Sequence, residues 1–121
     1  MMIKKRPILK NLINDGTLKV EEFQNSTLRP VIKMQNDFLL KFFKYNLKKK
    51  NINFSELSLI EKKEKIHSIL SKDNNFKRTI IGSILAHFTS EELEYYFENS
   101  NELNRRILQI IIQRLQDYLT S

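Results

Sequence analysis

The sequence predicts an all-α fold, a compact bundle of five to six helices in a single domain spanning 1–121. Three observations carry that prediction. Glycine and proline number only two each, too few for the tight turns of a β-rich domain. Apolar residues recur at steps of three and four along most of the chain. Two apolar runs are preceded by Ser/Thr-x-x-Glu, the pattern of a helix that caps its own start.

The elements follow in order. "RPILKNLINDG" reads as a short helix with Pro7 in its first turn, Ile8, Leu9, Leu12 and Ile13 on one face, and an exit at Asp15-Gly16. Residues 17–27 are ambiguous. Val20, Phe23, Thr27 and Val31 keep a helical spacing, but Pro30 disfavours a helical Arg29. A helix start capped by Thr27 would place Pro30 in the first turn, where proline is tolerated. That helix should run to Lys50. Lys33, Asp37, Lys41, Lys44 and Lys48 form its polar stripe, and Val31, Ile32, Met34, Phe38, Leu39, Leu40, Phe42, Phe43 and Leu47 form the rest. A helix with so narrow a polar stripe is surrounded on most sides, by its own chain or by a second subunit.

"NINF" is a connector. "SLIE" is a capping box for a helix from about Ser58 to Ser71, burying Leu59, Ile66, Ile69 and Leu70. Asp73 can cap a helix from about Asn74 to Phe88 with Phe76, Ile80, Ile81, Ile84, Leu85 and Phe88 on one face. Gly82 and Ala86 lie four apart there, a spacing that suggests close packing against a neighbour. "TSEE" is a second capping box, with Thr89 as cap and Glu92 reaching back. "NSNE" repeats it with Asn99 and Glu102, opening a last helix from about Ser100 to Leu119. Arg106, Gln109, Gln113 and Gln116 give that helix its polar stripe, and apolar residues from Leu103 to Leu119 cover the remainder. The helices 28–50 and 101–119 are expected to pack together at the centre.

Composition limits the chemistry. The chain has no cysteine, so disulfides and thiolate metal sites are excluded. No apolar run approaches the ~20 residues of a membrane span, and the N-terminal stretch has no continuous apolar segment of signal-peptide type. A cytoplasmic location with no membrane contact is expected. There is no glycine-rich phosphate loop, no GxSxG elbow and no HExxH pair. His87 and Glu91 are four apart but are separated by the helix start at Thr89, and His67 belongs to another helix. Helix starts account for most of the glutamates between 91 and 102. No catalytic residue, metal ligand or cofactor site is therefore assigned.

The net charge of +7 is uneven. Residues 1–60 carry 12 basic and 5 acidic side chains, whereas residues 61–121 carry 9 of each. The excess points to an anionic partner or to a solvated lysine-rich surface. The candidate anion or nucleic-acid contacts are Lys48, Lys49 and Lys50, which would meet phosphates, and Asn104, Arg105 and Arg106. The last three open the second helix of a helix-turn-helix-like segment, 90–106. The leading expectation is a non-catalytic protein-interaction module that forms a homo-oligomer, because two helices are too apolar for a small bundle to cover. Nucleic-acid binding is the alternative.

Two segments, "EEFQNSTLRPVIKMQNDFL" (21–39) and "FTSEELEYYFENSNELNRRILQIIIQRLQD" (88–117), resemble a family of short, uncharacterised bacterial proteins, some of which carry the label glyoxalase. The similarity covers most of the chain beyond the first twenty residues. Through that label the resemblance implies a lyase of the glyoxalase type. Neither the βαβββ modules of one glyoxalase class nor the THxHxDH motif of the other occurs in this sequence, so the resemblance transfers no site residue.

Overall fold

A computed structural model describes residues 16–120. The short helix expected at 6–16 lies outside the described residues. Within them the chain forms six helices and no strands. They are α1 (16–34), α2 (Asn36–Lys49), α3 (Leu59–Lys72), α4 (Asn74–Leu85), α5 (Ser90–Glu98) and α6 (Ser100–Leu119). No described helix is long and apolar enough to cross a membrane.

The first helix corrects the expected cap at Thr27. Helix α1 runs through that position in three parts: Gly16–Phe23 is α-helical, Gln24–Leu28 is a π-turn, and Arg29–Met34 is α-helical again. The π-turn resolves the conflict raised by Pro30. A proline ring presses on the carbonyl four residues back, and a widened turn just before it relieves that pressure. The Arg29 amide donates to the Gln24 carbonyl, five residues back, and Arg29 stays helical at φ −61°, ψ −47°. Burial outweighs the local preference, since Phe23, Leu28, Val31 and Ile32 are all fully buried.

The expected continuous helix 27–50 is broken at Gln35, which sits at φ −90°, ψ 9°. The Gln35 side-chain amide donates to the Ser83 carbonyl at 3.2 Å, tying the break to α4. Helix α2 then ends in a left-handed Asn51 (φ 57°). The Ile52 amide donates to the Leu47 carbonyl and the Asn51 amide to that of Lys48, the double closure that terminates many helices.

The caps at Ser58, Asp73 and Thr89 all form. The Ser58 and Thr89 hydroxyls accept from the amides of Glu61 and Glu92, and each glutamate returns a carboxylate to the cap amide. The Asp73 carboxylate accepts from the Phe76 amide at 3.0 Å. Asn99 departs from the pattern. Its side chain makes no cap bond and donates instead to the Tyr95 carbonyl.

Helix α6 is the axis of the bundle. Its most extensive contact is with α3, and it also meets α4, α5 and the π-turn and last turns of α1. Helix α2 makes no comparable contact with it, so of the expected central pairing of 28–50 with 101–119 only the 29–34 part forms. The core joins Leu103, Ile107, Ile111 and Leu115 of α6 to Ile66 and Leu70 of α3 and Ile80 and Ile84 of α4. Leu59, expected in the core, is 53% exposed. The Gln116 amide donates to the Lys63 carbonyl, so the first turn of α3 lies level with the end of α6 and has little left to pack on. Gly82 is also exposed. A side chain there would meet nothing within 4 Å, so the expected close packing at Gly82 is absent.

Candidate functional site

Because α2 packs at the edge of the bundle, only one face of it is covered. Leu39, Phe43 and Leu47 are buried. Phe38, Phe42 and Tyr45, spaced by four and three, lie on an adjoining face and stack. The Phe38 and Phe42 rings are 5.5 Å apart and 9° from parallel. Phe42 and Tyr45 are 6.3 Å apart at 20°. The column continues inward, with Phe42 lying 5.0 Å from the buried Phe76 at 18°. Phe76 meets Phe43 edge-on, and Phe43 meets Phe54 in the same way. The outer end is open, with Phe38 37% and Tyr45 58% exposed. Beside the column runs the polar stripe, in which Lys41 pairs with Asp37 at 3.2 Å.

The three lysines at the foot of α2 do not act as one patch. Lys50 Nζ lies 2.6 Å from Asp73 Oδ2. That contact, with the Phe76 amide, holds the Asp73 carboxyl below its ordinary range. Lys49 and Lys50 line a cleft of about 410 Å³ with Phe42, Tyr45, Asn46 and Asp73. The Asn46 Oδ1 is buried there with no hydrogen-bond partner. Lys48 faces a different depression, beside Lys44, Ile52 and Phe54.

Asn104, Arg105 and Arg106 are also engaged within the chain. The Tyr96 hydroxyl donates to Asn104 Oδ1. Arg105 forks onto both Glu102 oxygens, and Arg106 Nε donates to Glu102 Oε1 at 2.8 Å. Arg106 Nη1 donates to Gln24 Oε1 at 2.7 Å, reaching the π-turn of α1. Glu102 therefore does not reach back to cap α6, because the two guanidinium groups hold it. They pull its carboxyl down to about 2. Arg106 is 19% exposed, and Asn104 is partly buried. The clefts lined by the lysines and by Arg106 share no residue.

His67 is exposed, with Nδ1 3.3 Å from the Ser71 hydroxyl, and His87 is partly buried beyond the end of α4. Among the described residues no three His, Cys, Asp or Glu side chains group to hold a metal ion. Sequence reasoning placed Phe38 and Phe42 among the apolar residues of α2 but did not find the stack they form with Tyr45. The four- and three-residue steps were the available signal. It also overlooked Arg29 and Arg114, which flank Arg106 only in space. No protein-family model, curated protein or solved structure matches the chain.

Proposed function

We propose that the chain is a non-catalytic helical interaction module that pairs with a second copy of itself through the aromatic face of α2. The observation that carries this reading is the ring column that rises from Phe76 through Phe42 to Phe38 and Tyr45 and ends uncovered. Helix α6, the other strongly apolar helix, is covered by its own chain and supplies no comparable face.

Charge favours an antiparallel arrangement of the two copies. Asp37 lies in the first turn of α2, and Lys48 and Lys49 lie in its last turn. Antiparallel pairing about Phe42 sets the acidic end of each helix against the basic end of the other and opposes their dipoles. Ring stacking across the two-fold axis would extend the column already present, at about 0.5–1.5 kcal/mol for each aromatic pair beyond burial.

Sedimentation equilibrium tests the reading. The native chain should be a dimer at micromolar concentration. The double variant Phe38→Ser, Tyr45→Ser should be a monomer that keeps the native helical circular-dichroism spectrum, since both rings lie at the surface. Phe97→Ser, on the exposed side of α5, should leave the dimer intact. A native monomer at micromolar concentration would overturn the proposal. If that monomer bound single-stranded DNA or RNA in a salt-sensitive way, and the double variant did not, the face would instead be a base-stacking platform.

A further inference from the structure

We infer that a second site, at the junction of α1 and α6, binds the phosphate group of a small hydrophilic phosphomonoester. Arg29, Arg106 and Arg114 converge there with Gln24, Gln109 and Gln113 around a cleft of about 320 Å³. The α6 members fall on one helical face, at steps of three, four and one. Gln24 opens the π-turn of α1 and Arg29 directly follows it, a widened backbone that in other proteins recurs at functional sites.

The electrostatics favour an anion. Three guanidinium groups line the cleft against one carboxylate, Asp117, whose Oδ1 accepts from the Gln113 amide at 2.9 Å. Arg106 is held by Glu102 and Gln24. Glu102 in turn is neutralised by both Arg105 and Arg106. The Arg114 Nε is buried with no hydrogen-bond partner, so this guanidinium is not fully satisfied within the chain. Arg29 is exposed and makes one side-chain bond, to Asn25 at 3.2 Å.

The lining also selects the rest of the ligand. Ile110 is the only apolar residue among those lining it, so the cleft favours a hydrophilic ligand body. The glutamine amides can both donate and accept, as hydroxyl recognition requires. Planar guanidinium groups match tetrahedral phosphate oxygens in pairs, more specifically than lysines do. The volume is at the lower end for small-molecule sites, enough for a phosphate and a compact polyol. The site shares no residue with the aromatic face and does not depend on self-association.

Calorimetric titration at physiological salt, with glucose 6-phosphate, inorganic phosphate, glucose and a short single-stranded oligonucleotide as probes, decides the assignment. The sugar phosphate should bind more tightly than inorganic phosphate, and glucose should give no heat. Arg29→Gln and Arg114→Gln should each weaken sugar-phosphate binding by about tenfold, as loss of one charge-assisted contact implies. Arg29 is exposed, so its variant should fold normally even if the Arg114 variant does not. Absence of heat from either phosphate at millimolar concentration would overturn the inference, as would unchanged binding by Arg29→Gln. Tighter binding of the oligonucleotide than of the sugar phosphate would overturn it in favour of a polymer phosphate groove.

Discussion

The Thr27 hydroxyl donates to Glu92 Oε2 at 3.2 Å across 65 positions of sequence, and both residues are buried. The other oxygen of Glu92 accepts from the Thr89 amide at 2.8 Å. One carboxylate thus closes the start of α5 and fastens α5 to the π-turn of α1. Thr27→Val keeps the shape of the side chain and removes one bond to a buried carboxyl oxygen. It should cost about 1–3 kcal/mol. Glu92→Ala removes the cap as well and should cost more. Urea denaturation of both variants measures the order.

Asp73 has two roles that substitution can separate. It caps α4 through the Phe76 amide and pairs with Lys50, whose side chain is 42% exposed. An ion pair this accessible is screened by water and contributes little. Asp73→Asn should therefore be close to neutral, whereas Asp73→Ala should lose about 1 kcal/mol with the cap. Equal losses in the two variants would assign the stability to the charge instead.

Gly82 lies within α4 with open space around it. Alanine at this position restricts the unfolded chain and meets no neighbour. Gly82→Ala should stabilise the fold by about 0.5–1 kcal/mol, measured by thermal melting.

The Glu102 carboxyl is held at about 2, against an ordinary 4.5, by Arg105 and Arg106. Its folded pKa is depressed, so the unfolded chain binds the proton more readily between those two values. The stabilisation is fully present above about 4.5 and is lost as pH falls towards about 2. Glu102→Gln should therefore destabilise the protein near pH 7, and its deficit relative to the native chain should shrink through that acid window. A deficit that stays constant with pH would show that packing, not charge, holds Glu102.

Local signals were legible in the sequence. Ser58, Thr89 and Asp73 announce their helices because a cap involves only three or four neighbouring residues. Breaks decided by distant partners were not legible. Gln35 ends α1 without a glycine or proline, and its amide finds a carbonyl 48 positions away. Proline 30 signalled a helix start, but the burial of Phe23 and Leu28 carried the helix through it. Asn99 and Glu102 had cap spacing, yet Arg105 and Arg106 compete for the carboxylate. The arginine cleft was hidden for the same reason: Arg29 and Arg114 are far apart in sequence, and only the folded α1–α6 junction makes them neighbours.

The ring column also gives the chain a built-in optical reporter. The sequence has no tryptophan and four tyrosines, so tyrosine dominates its emission. Tyr95 and Tyr96 are buried, whereas Tyr45 and Tyr118 are about half exposed. Of these, only Tyr45 continues the Phe38–Phe42 stack. Covering that face would shield Tyr45 from iodide quenching and leave Tyr118 unchanged. Occupancy of the aromatic face can thus be followed on the native chain, without a label, by the loss of one quenchable fluorophore.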